Sequence, residues 1–187
     1  MPQPFSLSTD RLVLRRFVQD DLDDLLRFHR NPAVQTGYDP EGKPWSDGSI
    51  AQRLKSYIAE HEKQGFSRWK LSLANGQFIG RAGLGWFVEG ESVELGYGLL
   101  PEYWGFGYAR EASAALIRWG FDNLPISKIV AFTYPWNARS TKALAALGVN
   151  YVDDRVRSPK DGACAYYEIT RAQAAEPNVA SRVRASR

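Results

Sequence analysis

The segment Glu94-Leu-Gly-Tyr-Gly-Leu-Leu-Pro-Glu-Tyr-Trp-Gly-Phe-Gly-Tyr-Ala-Arg-Glu-Ala112 limits what this chain can fold into more than any other. A strand-like run stops at Pro101, two glycines follow at 105 and 107, and a helical pattern begins directly after them. Proline cannot donate to a sheet ladder, so the strand ends there. A strand that feeds a glycine turn at a helix N-terminus leaves the first backbone N–H groups of the helix pointing outward. The helix dipole adds positive potential at the same place. Such a turn is suited to an anion. A Gly-x-Gly taken alone is equally an ordinary strand-to-helix turn, so the rest of the chain has to decide between the two readings.

Around that segment, strand and helix periods alternate. Residues 11–16, Arg-Leu-Val-Leu-Arg-Arg, read as a strand. Leu22, Leu25, Leu26 and His29 repeat at helical spacing behind the acidic residues Asp20, Asp21, Asp23 and Asp24, which complement the dipole; Asn31-Pro32 ends that helix. A turn-rich loop spans 36–45. Ile50, Leu54, Tyr57 and Ile58 mark a second helix, capped by Ser46 or Ser49 and closed by Gly65. Strands follow at 69–73, 78–88 and 92–100, joined by turns at Asn75-Gly76 and Glu89-Gly90, with the middle strand loosened by Gly80, Gly83 and Gly85. A helix over 107–123 puts Ala112, Ala115, Leu116, Trp119 and Gly120 on one side. A strand at 128–134 and a short helix at 137–147, ended by Gly148, come next. Two last strands fall at 150–157 and 164–170 around a Pro159–Gly162 turn.

The order β-α-α-β-β-β-α-β-α-β-β predicts one mixed α/β domain over 1–171. Its sheet is mostly antiparallel, with one parallel pair where the 107–123 helix crosses over. Residues 172–187 hold little apolar material and read as a disordered basic tail. The length of 187 residues suits a single domain. A net charge of +3 is too small an excess to argue for nucleic acid. One cysteine, Cys164, excludes an internal disulfide and a cysteine-rich metal site and fits a reducing cytoplasm. His29 and His61 fall in separate helices without ligand spacing, so no metal is expected. No run approaches the ~18 apolar residues of a membrane span. The opening Met-Pro-Gln-Pro-Phe-Ser lacks the basic and apolar regions of a secretory leader. A cytoplasmic protein with neither membrane nor nucleic-acid partners is the expectation.

Four segments in order carry a family resemblance: Thr9-Asp-Arg-Leu-Val-Leu-Arg15 with Asp20–Leu25, Phe78-Ile-Gly-Arg-Ala-Gly-Leu84, the stretch 94–112, and Asn137-Ala-Arg-Ser140 leading to Ala146-Leu-Gly148. Together they resemble the GNAT superfamily of acyl-CoA N-acyltransferases, and more narrowly its RimJ/RimL-like branch of ribosomal-protein N-terminal acetyltransferases. The resemblance implies a GNAT-like sheet with a splayed parallel strand pair and helices on both faces. It also implies acetyl-CoA as co-substrate and a primary amine as acceptor: a protein N-terminus, a polyamine or a small molecule. Many relatives are dimers, so a homodimer enters the expectation.

On this resemblance the turn Trp104, Gly105, Phe106, Gly107, Tyr108 and Ala109 cradles the coenzyme A pyrophosphate through backbone N–H groups. Phe106 stands where many relatives carry Lys, and Arg110 either replaces that charge or is a plain surface residue. Leu99 and Leu100 are the expected backbone contacts to the pantetheine arm, with an N–H near Leu99 placed for the thioester oxyanion. Asn137 is an N-cap by chemistry alone, and the resemblance adds a pantetheine contact. Glu94 is the candidate general base or, alternatively, a structural salt bridge. The usual helix Tyr is replaced by Leu144, which moves the candidate acid to Ser140; its other reading is a hydroxyl bonded to backbone. The loop 36–45, with Tyr38 and Trp45, either lids the acceptor cleft or packs on the second helix. The rival function is a non-catalytic acyl-CoA-binding or regulatory module that kept the cofactor cleft.

Overall fold

A computed structural model describes residues 6–39, 41–156 and 162–176. The elements are β1 (Ser6–Ser8), β2 (Leu12–Arg16), α1 (Leu22–Arg30), α2 (Pro32–Gln35), α3 (Asp47–Gln64), β3 (Arg68–Leu73), β4 (Phe78–Val88), β5 (Ser92–Leu99), α4 (Tyr108–Asn123), β6 (Lys128–Thr133), α5 (Ala138–Ala146), β7 (Asn150–Val156), β8 (Ala163–Thr170) and α6 (Arg171–Ala175). Eight strands form one sheet in the order β1-β2-β3-β4-β5-β6-β8-β7. Among the described strands only β5 and β6 run parallel, and α4 is their crossover. The mixed α/β architecture read from the sequence is therefore the observed one.

Alternation along the strands separates two faces. Leu12 and Leu14, Trp69 and Leu71, Ala82 and Leu84, Val93 and Leu95, and Ile129 and Ala131 point to one side and form the main core with Ala112, Leu116 and Ile117 of α4. Gly120 lets α4 approach closely, because a Cβ there meets Leu84 Cδ1 at 2.9 Å. The other face is covered over β2–β4 by α1 and α3, packed through Leu25, Ile50, Leu54 and Tyr57.

Local chemistry explains most element ends. Ser46, not Ser49, caps α3 by accepting from Ser49 N–H, and Gly65 closes it in the left-handed region. Asn31 ends α1 and starts α2, accepting from Ala33 and Val34 N–H. Two elements escaped the sequence pattern. β1 has three residues, too few for a period to register. α6 is held by a capping box of Thr170 and Gln173, so the chain is helical over 171–175, although the residues from 172 onward read as tail. The rest of that expected tail, from 177, and the centre of the Pro159–Gly162 turn lie outside the described residues. The acidic start of α1 does more than answer a dipole. Asp21 accepts both Arg15 terminal nitrogens and, with Asp24, the Lys70 ammonium.

Candidate active site: a cleft along a splayed strand

β5 is bonded to β6 through only three pairs, Ser92↔Lys128, Val93↔Ile129 and Glu94↔Val130, although it runs on to Leu99. Past Glu94 the two strands part. The Leu100 N–H donates to Ile79 O at 2.8 Å, which sets the phase of the β4–β5 ladder. The N–H and C=O groups of Tyr97 and Leu99 consequently point away from β4, into the gap. The opening is a cleft of about 1360 Å³ that exposes both sides of β5. That exceeds the ~300–1,000 Å³ of a one-ligand pocket and leaves room for two substrates.

The glycine turn closes one end of the cleft. Gly105 and Gly107 take φ of 84° and 81°, a region costly for any residue with a Cβ. Gly107 is the N-cap of α4, so the N–H groups of Tyr108, Ala109 and Arg110 belong to its open first turn. The turn is held from below. Arg11 Nη1 donates to Phe106 O at 3.1 Å, while its Nε and Nη2 engage the buried Glu111 carboxylate at 2.7 and 2.6 Å. The Thr9 hydroxyl bonds the same carboxylate, and the Arg11 guanidinium lies 4.5 Å from the Tyr108 ring centre. The Thr9-Asp-Arg-Leu segment thus clamps the turn to the first turn of α4.

Positive charge around the turn comes from Arg110, Arg139 and Lys142, all lining the cleft. Arg139 lies 3.8 Å from the Trp104 ring centre, and the Trp104 indole N–H donates to Leu99 O at 2.9 Å. Trp104 therefore ties the turn to the splayed strand. Sequence reading quoted Arg139 inside its motif without giving it a role; its place beside Trp104 follows from long-range packing. The cradle residues fit a pyrophosphate on these grounds: two left-handed glycines, outward N–H groups and nearby cations.

The candidate acid and base stand on opposite faces of β5. Ser140, in the first turn of α5, sits 3.0 Å from the Tyr97 hydroxyl. Asn137 caps that helix by accepting from Ser140 N–H at 3.2 Å. Tyr97 escaped the sequence reading because it hides as a core position of the strand. Burial pushes its hydroxyl up to about 12, against a smaller opposing effect of the Ser140 bond. Leu144 is buried in the core, so the hydroxyl chemistry of this cleft comes from the strand and the start of α5. Leu100 is also buried, packed with Phe28 and Phe78, and lies outside the cleft lining. Glu94 faces the other way and pairs with Arg68, whose Nη2 is 3.7 Å from its carboxylate. Arg68 Nη1 also donates to the carbonyls of Gly83 and Glu94.

That second side is floored by glycine. Gly85 of β4 and Gly96 and Gly98 of β5 line it on one face, while Gly83, paired with Gly96, is closed over by the β3 backbone, where a Cβ would meet Ser67 O at 2.2 Å. A Cβ on Gly96 meets the Arg68 guanidinium at 2.8–3.0 Å, and one on Gly98 meets Phe28 at 2.8 Å and the Tyr38 hydroxyl at 3.0 Å. The missing side chains let Arg68, Phe28 and Tyr38 close onto the strand beside the trough. Tyr38 and Trp45 of the 36–45 loop line it; the Trp45 ring stacks on His29 of α1 at 4.2 Å and nearly parallel, and the Tyr38 ring lies tilted 6.2 Å from His29. Trp136 anchors the loop by donating to Thr36 O. Asp47 is paired with Arg30, away from the cleft.

A family model for the acetyltransferase (GNAT) domain matches residues 11–150, and the chain belongs to that family. An N-acetyltransferase named p20 from Bacillus licheniformis is 32% identical over 145 residues, covering 76% of this chain and 80% of its own. The crystal structure of an acetyltransferase from Agrobacterium tumefaciens superposes with a TM-score of 0.76 at 27% identity, over 88% of this chain and 94% of that one. The ribosomal α-N-protein acetyltransferase RimL, solved with coenzyme A, shares the fold with a TM-score of 0.75 at 14% identity, over 89% of this chain and 98% of its own.

Proposed function

We propose that this chain is an acetyl-CoA-dependent N-acetyltransferase of the RimJ/RimL-like branch, acting on a primary amine by direct attack within a ternary complex. The observation that carries it is the splay beyond Glu94. One strand has an anion cradle and a hydroxyl pair on one face and a carboxylate in an open trough on the other. Coenzyme A binds along the Trp104–Arg110 turn with Arg139 beside it, and the thioester reaches the gap. The amine approaches from the trough. Its lone pair attacks the carbonyl carbon, and the Leu99 N–H is the donor facing the developing oxyanion. The ammonium proton passes to Glu94, directly or through water, and Arg68 positions that carboxylate. Collapse breaks the C–S bond, and the leaving thiolate meets Ser140, itself bonded to Tyr97.

Two measurements test this. Coenzyme A should raise the melting temperature by mass action, and acetyl-CoA should release thiol with members of a panel of amines and peptides. A thermal shift without turnover across the whole panel would select the acyl-CoA-binding, regulatory reading instead. No shift at millimolar coenzyme A would remove both.

A further inference from the structure

We propose that the amine acceptor also carries a carboxylate and that Arg81 binds it. This rests on the acetyltransfer reading and adds the chemical class of the acceptor. Arg81 projects from β4 on the trough face, opposite Gly98, and lines the cleft. It is 6% exposed. The cations beside it on this face have carboxylates: Arg15 and Lys70 share Asp21, and Arg68 has Glu94. Among the described residues no carboxylate lies within ion-pair distance of Arg81. Among those residues its one hydrogen bond runs from Nη2 to the Tyr38 hydroxyl at 2.7 Å, and the buried Nε has no partner.

The rings of Phe28, Tyr38 and Tyr57 surround the guanidinium at 5.4–5.9 Å. Ring faces stabilise the charge but leave the in-plane N–H donors unused, and a guanidinium has five of them in a fork that matches a carboxylate. A buried cation with spare donors at the wall of a substrate trough is a carboxylate receptor. Position sets the spacing. Arg81 faces Gly98 across the ladder, about 5 Å away backbone to backbone, and the next residue is Leu99, whose N–H faces the reacting carbonyl. The guanidinium stands one side chain's length off that backbone, among Phe28, Tyr38 and Tyr57, so the carboxylate and the amine lie within the span of one small acceptor, a free amino acid or an acidic N-terminal residue. Arg53, Arg68 and Arg81 line the same trough against Glu60 and Glu94, which disfavours a polycation.

The test uses the full chain with acetyl-CoA and thiol detection. Its arms are free amino acids against their amides and decarboxylated amines, peptides opening with Asp or Glu against Asn or Gln, and spermidine. Carboxylate-bearing acceptors should exceed their neutral partners by ~30-fold or more in kcat/KM, mainly through KM. The arm with the larger excess identifies the source. In Arg81→Met that preference should collapse toward unity; in Arg81→Lys, which keeps a cation without the fork, it should fall ~10-fold. The coenzyme A thermal shift reports whether each variant is folded, and Arg81→Lys carries the test if Arg81→Met is not. Equal turnover of acidic and neutral partners, a preference for spermidine, or an undiminished preference in Arg81→Lys overturns the proposal. A thermal shift with no turnover of any amine overturns the acetyltransfer reading and this proposal with it.

Discussion

Replacing Tyr97 with Phe removes one hydroxyl and nothing else from the cleft. That hydroxyl bonds Ser140 at 3.0 Å, and burial holds it up at about 12. A thiol titrates near ~8.5, so full transfer from the phenol to a departing thiolate is uphill by about 3.5 units, or ~5 kcal/mol. The pair therefore acts by orienting a Ser140 hydrogen bond toward the sulfur, not by surrendering a proton. A neutral hydrogen bond contributes about 0.5–1.5 kcal/mol net, and one to a charged group about 1.5–3. Tyr97→Phe should then lower kcat about 2- to 12-fold, and Ser140→Ala about 10- to 150-fold. If Tyr97 works only through Ser140, the double variant should be no slower than Ser140→Ala alone. Steady-state thiol release for the four proteins, with the coenzyme A thermal shift as a folding control, gives the cycle. The pH–rate profile should show no titration of this pair between about 7 and 10. Multiplicative losses in the double variant, or an unaffected Tyr97→Phe, refute the coupling.

Three further outcomes follow from the geometry. His29 is fully buried against Trp45, and burial lowers it to about 2, so the unfolded chain takes up its proton first; the stability it contributes is complete above about 6.5 and lost as pH falls, by about 2 kcal/mol from 7.5 to 5. His29→Asn should flatten the melting-temperature slope over that window, leaving the smaller contribution of His61, which is shifted the same way; an unchanged slope rejects the assignment. Gly107→Ala meets nothing closer than Arg11 Nη2 at 3.7 Å but strains a φ of 81°, costing about 1–2 kcal/mol. Calorimetry should show coenzyme A affinity falling ~5-fold or more, whereas Gly90→Ala, equally strained in a remote hairpin turn, should leave it alone; equal effects would falsify the cradle. Glu111→Gln should cost about 1–3 kcal/mol in denaturant melts, less than a fully buried pair because Arg11 is half exposed. It should also weaken coenzyme A binding by loosening Phe106 O, and destabilisation with intact affinity would reduce the clamp to a structural role.

What the sequence made legible was whatever is written in local periods. The Asn75-Gly76 and Glu89-Gly90 turns, the alternation of 69–73 and the 107–123 helix each announce themselves within a few residues, and each is found at its expected place. The crossover helix then implies the β5–β6 parallel pair. Where that pair comes apart is another matter. Residues 95–99 alternate as a well-paired strand does, and only the register, ending at Glu94↔Val130, reveals the gap. Tyr97, Arg139 and Arg68 were illegible for the same reason. Each gains its role from a partner at least 26 residues away in the chain.

One long-range feature did leave a local trace. Gly83-x-Gly85 and Gly96-x-Gly98 repeat at the strand period in two strands joined by a tight turn. A single strand glycine weakens packing and is most simply read as loosening, which is how Gly80, Gly83 and Gly85 read in isolation. Two glycine pairs of the same period in hairpin partners mean more once the register is known: the irregularity between Trp86 and Val88 shifts the pairing by one and places all four on one face. A sheet face stripped of side chains cannot contribute to a core, and losing that burial is unfavourable unless something else fills the space. Here Arg68 lies across Gly96, and the Tyr38 hydroxyl approaches Gly98. The polar chemistry of the trough is thus brought down onto the backbone of the strand that parts from β6 past Glu94. On the proposed reading, these paired glycine steps form the acceptor side of β5, as Gly105 and Gly107 form its anion cradle.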